Sequence, residues 1–140
     1  MSKLLISFLL FSLPLFNFDP GEIHLHIRET DNDQGNVLVL VFNQSTGFPS
    51  DPDKALMKLS LPLKGKKATI TLPDIEPGKY AISVFHDEDG DGKMDKNSVG
   101  YPLDKYGFSN NPSSFFGPPS FEKAAFEVGT KPVRVDIKLR

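Results

Sequence analysis

The sequence of 140 residues contains no cysteine and no tryptophan. Without cysteine, a disulfide framework, thiolate metal ligands, a cysteine nucleophile and lipid attachment through an N-terminal cysteine are all excluded. The sequence also lacks an excess of either charge, because 16 basic and 18 acidic residues leave a formal net charge of −2. The largest basic cluster is Lys64, Lys66 and Lys67, so binding to nucleic acid through a basic surface is not expected.

The longest apolar run is at the N-terminus. Lys3 is followed by about fifteen mostly apolar residues ending at Phe18, a pattern typical of a secretory signal peptide. The run is short for a membrane helix of about 20 residues, and Pro14 interrupts it. We therefore predict a signal peptide at 1–18, a single domain at 19–140 and no membrane span after cleavage. The product would be exported to the periplasm or the cell exterior, an uncleaved anchor being the alternative.

Much of the remaining chain alternates apolar and polar residues with the period of half-buried strands, and 37–42 is a continuous apolar run typical of a central strand. Strands are predicted at 23–27, 37–42, 57–63, 67–72, 80–85, 124–128 and 133–139. Turn-forming residues separate them, and the only helix candidate is one turn at 50–55. The prediction is an all-β fold, an antiparallel immunoglobulin-like or transthyretin-like β-sandwich of about seven strands.

An acidic loop follows the fifth predicted strand with the spacing D-x-D-x-D-G-x-x-D of calcium-binding loops. The predicted ligands are Asp87, Asp89, Asp91 and Asp95 through their side chains and Lys93 through its carbonyl. Gly92 occupies the position at which such a loop turns sharply. Position twelve is Ser98, so the bidentate glutamate of an EF-hand is missing, and the preceding element is a strand instead of a helix.

Electrostatics favours a bound cation at this loop. Carboxylates about 5 Å apart repel by roughly 1–3 kcal/mol per pair, so several converge only around a positive charge. An oxygen-only ligand set suits Ca²⁺ better than Mg²⁺ or Zn²⁺. The alternative is a solvated acidic turn, because Asp and Gly are also common turn residues.

A long segment at 97–120 has no strand pattern but carries five aromatic residues, Tyr101, Tyr106, Phe108, Phe115 and Phe116. Because aromatic side chains offer apolar area to bury, we expect order here instead of disorder. The segment should pack against the acidic loop or over one end of the sandwich, with Tyr106 and Phe108 substantially buried. Exposure of Phe115 and Phe116 for a partner is the alternative.

Catalytic motifs are not visible in the sequence. His24 and His26 lie on one strand face and are interpreted as solvent-facing, and His86 and Asp87 should point to opposite faces. No serine elbow, phosphate loop or zinc-binding helix is present. The protein is therefore not expected to be an enzyme.

Three groups of residues together resemble a family of exported bacterial proteins known as domain of unknown function 2141. They are Leu72-Pro73-Asp74-Ile75-Glu76-Pro77-Gly78-Lys79-Tyr80-Ala81, then His86 to Asp95, then Gly100-Tyr101-Pro102 with Tyr106-Gly107-Phe108-Ser109-Asn110-Asn111. The resemblance covers about residues 21–140. It implies an exported β-sandwich and supplies no catalytic residues to transfer.

These observations favour an exported, non-enzymatic binding or accessory domain with a Ca²⁺-binding loop. Its ligand would be a glycan or a protein. Two alternatives are a carbohydrate-processing hydrolase that uses the loop carboxylates and a structural subunit that docks through the aromatic segment.

Export leads to the first testable prediction. N-terminal sequencing of protein from the native host should find a mature chain that starts between Asn17 and Glu22, because the apolar run ends there. Soluble cytoplasmic protein that retains Met1 would contradict the signal-peptide interpretation.

Overall fold

The structure is a computed structural model, and it describes residues 19–113 and 116–140. The predicted signal peptide at 1–18 and Phe115 lie outside the described residues. Eight strands and one short helix follow in the order β1 (Gly21–Arg28), β2 (Asn36–Phe42), β3 (Met57–Pro62), β4 (Lys67–Ile75), β5 (Gly78–Asp87), β6 (Tyr106–Phe108), α1 (Phe121–Ala124), β7 (Phe126–Val128) and β8 (Pro132–Lys138). All seven predicted strands are present, and β6 is additional.

The strands form two sheets, which confirms the predicted β-sandwich. One sheet has the order β4-β1-β8, and the other has β3-β2-β5-β6 with β7 paired to the first residues of β5. All of these pairs are antiparallel except β1 with β8, which run parallel. A parallel pair requires a connection that crosses the fold, and here the whole chain between the first and last strands provides it.

The main core lies between the sheets and contains the residues that the period-two alternation predicted. Ile23, Leu25 and Ile27 from β1 are fully buried, as is Ile137 from β8. They face alternate residues of the second sheet, Val37, Val39, Val41, Tyr80, Ile82 and Val84. This arrangement buries one face of each sheet, as expected for a sandwich.

The outer face of the second sheet is also covered, which the strand pattern did not predict. Ala81 on β5 is fully buried although it points away from the main core, and Phe42 at the end of β2 is fully buried with it. Both belong to a second apolar cluster that includes Phe108, Phe121 and Ala124. Phe48 joins it through ring contacts at 5.4–6.1 Å with Phe42, Phe108 and Phe121. As a result, β5 is buried on both faces.

Three consecutive polar residues anchor the long segment by hydrogen bonds, two over this outer face and the third to β8 of the other sheet. The Ser109 hydroxyl accepts from the Ile82 N–H at 2.9 Å and donates to the Ala124 carbonyl at 2.5 Å. Asn110 donates from its side chain to the Ala125 carbonyl at 2.7 Å. Asn111 accepts from the Lys138 N–H at 2.8 Å and donates to the Asp136 carbonyl at 2.9 Å. The predicted order of the segment is thus confirmed around Phe108, which is buried, whereas Tyr106 is half-buried.

The helix prediction at 50–55 is wrong. The Asp51 carbonyl accepts from Lys54 N–H and its side chain accepts from Asp53 N–H, so local bonds close a turn there. The short helix is α1 instead, where the Ser120 side chain accepts from Lys123 N–H and Phe121 and Ala124 pack into the second cluster. Within residues 19–113 and 116–140, no helix is long and apolar enough to cross a membrane.

Ser109 provides a test of how the outer layer is held. Ser109→Ala should leave the buried Ile82 N–H and the Ala124 carbonyl without a partner, at a cost of about 1–3 kcal/mol each. Chemical denaturation should show this loss of unfolding free energy, whereas Ser113→Ala, at an exposed position, should change it little. Equal stability of the two variants would contradict the role assigned to Ser109.

Candidate metal centre

The acidic loop begins at a buried residue and continues through exposed residues. Asp87 is the last residue of β5 and is 3% exposed, whereas Asp89 and Asp91 are exposed. Both carboxylate oxygens of Asp87 accept backbone N–H groups, from Gly90 at 3.1 Å and Gly92 at 2.9 Å. Gly90 and Gly92 have φ of 72° and 77°, a region that glycine adopts without strain. The chain therefore curls around the Asp87 carboxylate.

Asp89 and Asp91 shape the loop in the same manner. Asp89 Oδ1 accepts from Asp91 N–H at 3.2 Å, and Asp91 Oδ1 accepts from Lys93 N–H at 2.8 Å. One carboxylate oxygen from each of Asp87, Asp89 and Asp91 can be chosen so that all three lie within 4.8 Å of one another. The structure thus brings together three predicted ligands in an arrangement that could hold a metal ion.

The four predicted aspartate ligands have no cationic partner within the part of the chain that the structure describes. Across 19–113 and 116–140, no ion pair joins Asp87, Asp89, Asp91 or Asp95 to a Lys, Arg or His. Asp95 lies outside the three-residue group, but nearby carboxylates raise the pKa of its carboxyl group above the ordinary value, Asp104 most strongly and then Asp89. This repulsion is the electrostatic condition that a bound cation would relieve.

Asp104 is the acidic neighbour that the sequence reasoning missed. Its Oδ2 accepts from the Asp95 N–H at 2.7 Å, and the Leu103 N–H donates to the Asp95 carbonyl at 2.7 Å. The chain folds back between these positions through a turn at 97–100. In the sequence, Asn97 and Gly100 are turn-forming residues, and they could have predicted the chain reversal that brings Asp104 back to Asp95. The expected packing of the long segment against the acidic loop is thereby confirmed.

A second loop, residues 29–35, packs against the acidic loop and forms hydrogen bonds with it. The Nε2 of His86 donates to the Gln34 carbonyl at 2.7 Å, and the Asn32 side chain donates to Glu88 Oε1 at 3.1 Å. Gly35 has φ of 65°, and a Cβ at this position would overlap the carbonyl oxygen of Asp87. The acidic loop therefore rests directly on backbone, and a side chain at residue 35 has no room.

The histidines form no metal group with the loop. His86 is 1% exposed and bonds to Gln34, while Asp87 bonds within its own loop, so the two side chains have different partners. His24 and His26 are half-buried on the outer face of β1, where the His24 ring contacts the Glu22 carboxylate. Among the described residues, the only group of three or more acidic, His or Cys ligands that could hold an ion is Asp87, Asp89 and Asp91.

Comparison with known proteins identifies a family but no activity. The family model described as "Uncharacterized protein conserved in bacteria (DUF2141)" matches residues 25–136. This match spans all eight strands except the ends of β1 and β8, and it includes the acidic loop. No curated protein and no solved structure is significantly similar to the chain.

The close approach at Gly35 yields a matched pair of variants. Gly35→Ala should destabilise the protein and displace the acidic loop, because the new methyl group meets the Asp87 carbonyl and the residue has positive φ. Gly65→Ala is the control, since Gly65 has φ of 62° but a methyl group added there would have no neighbour within 4 Å. Both variants carry a left-handed penalty of about 1 kcal/mol, so thermal melts should show a larger loss for Gly35→Ala. Equal losses of thermal stability in the two variants would show that the approach of residue 35 to the Asp87 carbonyl does not restrict the side chain.

Proposed function

The chain belongs to the DUF2141 family, and from this premise we propose that it is an exported, non-enzymatic binding or accessory domain whose acidic loop holds one Ca²⁺ ion. The observation that carries this proposal is the convergence of Asp87, Asp89 and Asp91 within 4.8 Å. The ion stabilises one end of the sandwich, where the acidic loop, the loop at 29–35 and the long segment meet.

The distances within the group support calcium. Ca²⁺ takes roughly 6–8 oxygen ligands at about 2.3–2.6 Å, so two ligand oxygens of one ion lie at most about 5 Å apart. The three-aspartate group satisfies this limit. The Lys93 carbonyl and the Asp95 carboxylate complete the proposed ligand set. Since Ser98 replaces the bidentate glutamate of an EF-hand, water or an external ligand fills the remaining positions.

The concentration of carboxylates in and beside the loop also supports a cation. Both carboxylate oxygens of Asp87 accept backbone N–H groups, and these bonds hold the carboxylate inside the curl of the loop. Asp89 and Asp91 are exposed, and the ion can therefore enter from solvent. The raised pKa of the Asp95 carboxyl group reflects an unfavourable concentration of negative charge that the ion would remove.

The alternative of docking through the aromatic segment receives support from the exposure of Phe116. Phe116 is 98% exposed, whereas Phe108 is 7% exposed and belongs to the second apolar cluster. A docking surface would therefore be built around Phe116 and not around Phe108. The hydrolase alternative has no separate observation in its favour.

Calcium binding should raise the melting temperature. Without an acidic residue at position twelve, we expect a dissociation constant of about 10⁻⁴–10⁻³ M. A concentration tenfold above that constant adds roughly 1.4 kcal/mol to the free energy of unfolding. Thermal melts in calcium and in chelator should then differ by several degrees.

Two variants separate ion binding from a general charge effect. Asp89→Ala should abolish the calcium-dependent shift and retain the fold, because Asp89 is exposed and outside both apolar clusters. Asp53→Ala removes one exposed carboxylate from a distant loop and should leave the shift unchanged. Equal melting temperatures of the unmodified protein in calcium and in chelator would refute the calcium proposal.

A further inference from the structure

An open groove of about 460 Å³ lies beside the acidic loop. One wall is a small hairpin at 95–103, in which Lys96 pairs with Pro102 and the Leu103 N–H bonds to the Asp95 carbonyl. Tyr106, Arg140 and the loop residue Asp31 also line the groove. Its volume falls within the range of small-ligand sites, roughly 300–1,000 Å³.

The lining of the groove combines polar and apolar residues, and the formal charges of its side chains cancel. Asp31 and Asp104 contribute two carboxylates, and Lys105 and Arg140 contribute two cations. A net-neutral set of this kind offers hydrogen-bond donors and acceptors without an overall attraction for anions or cations. The complementary ligand is therefore uncharged and rich in hydroxyl groups.

The exposed ring of Tyr101, together with Pro102 and Leu103, supplies the apolar part of the groove. Tyr101 is 63% exposed, so most of its side chain is open to a ligand. The second tyrosine, Tyr106, is half-buried and has the guanidinium of Arg140 over its ring at 5.7 Å from the centroid. Sugar rings combine an apolar C–H face with a rim of hydroxyl groups, so one exposed ring beside charged groups matches both parts.

The groups that would contact a ligand are held in place before it binds. The Tyr101 N–H donates to Asn97 Oδ1 at 2.9 Å, and its carbonyl accepts from the Asn97 N–H at 2.9 Å. The Lys105 ammonium group is fixed by Asp31 Oδ1 at 2.9 Å and by the Glu29 carbonyl at 3.1 Å. Such preorganisation lowers the entropy lost on binding.

We propose that this groove binds a neutral saccharide, with Tyr101 stacking on a sugar ring and the charged groups of Asp31, Asp104, Lys105 and Arg140 bonding to its hydroxyl groups. This inference rests on the binding role proposed above and names the class of ligand for it. Asp95, a proposed calcium ligand, bonds to the groove residues Leu103 and Asp104, so the two sites are neighbours.

The test is an NMR titration of the protein in excess calcium with maltohexaose, cellohexaose and chitohexaose, and with hexagalacturonate as the anionic comparison. At least one neutral oligosaccharide should shift the backbone amides of Tyr101 and Lys105. Tyr101→Ala should weaken its binding by about tenfold or more, as expected for truncation of a central aromatic contact. Tyr101→Phe should retain binding, because the ring remains.

Val99→Ala is the matched control, since Val99 lies on the same hairpin, is 85% exposed and does not line the groove. Its affinity should equal that of the unmodified protein. The proposal is overturned if no neutral oligosaccharide shifts the groove amides, if Tyr101→Ala binds as well as Val99→Ala, or if hexagalacturonate binds most tightly. Thermal melts in calcium and in chelator, without sugar, test the calcium proposal separately. Failure of saccharide binding would therefore leave the calcium proposal standing, and the reverse also holds.

Discussion

The central constraint on this structure is that β5 must be covered on both faces. Its inward residues complete the core between the sheets, whereas Ala81 on its other face is also fully buried. Burial of both faces removes water from the strand, so each of its polar groups needs a protein partner. The segment after the hairpin supplies that cover, and it brings Ser109 to bond the backbone of Ile82. The position of the acidic loop follows from the same strand, because Asp87 is its last residue.

Local alternation predicted most of the fold, because each strand of a sandwich exposes one face and buries the other. Ile23, Leu25 and Ile27 illustrate this, since their neighbours His24 and His26 are half-buried on the outer face. The outer layer could not be predicted in this way. β6 has three residues, too few to display a period, and its place is set by distant contacts of Phe108 and Ser109. The helix prediction is wrong for a related reason, since Phe121 and Ala124 are stabilised by packing that the local sequence does not contain.

The acidic loop was predictable because its information is local. Alternate aspartates followed by glycine fix both the ligands and the turn, and Asp87, Asp89 and Asp91 converge as that spacing predicts. Asp104 was not predictable, since it reaches Asp95 only after the chain has reversed. The close approach of Gly35 to the Asp87 carbonyl was also not predictable, because it depends on the proximity of two loops that are far apart in the sequence. Spacing thus identifies the ligands, while tertiary structure determines the electrostatics around them.

The parallel pairing of β1 with β8 has a consequence for the order of folding. The middle strand of the smaller sheet, β1, cannot gain its second neighbour until β8 has been synthesised, so this sheet is incomplete while only the preceding strands are available. Contacts between the two ends of a chain carry a large loop-closure cost and slow the search for the native topology. For a chain exported as proposed here, such a delay is an advantage, because a polypeptide that has not yet closed its sandwich can still be threaded through a narrow translocation channel.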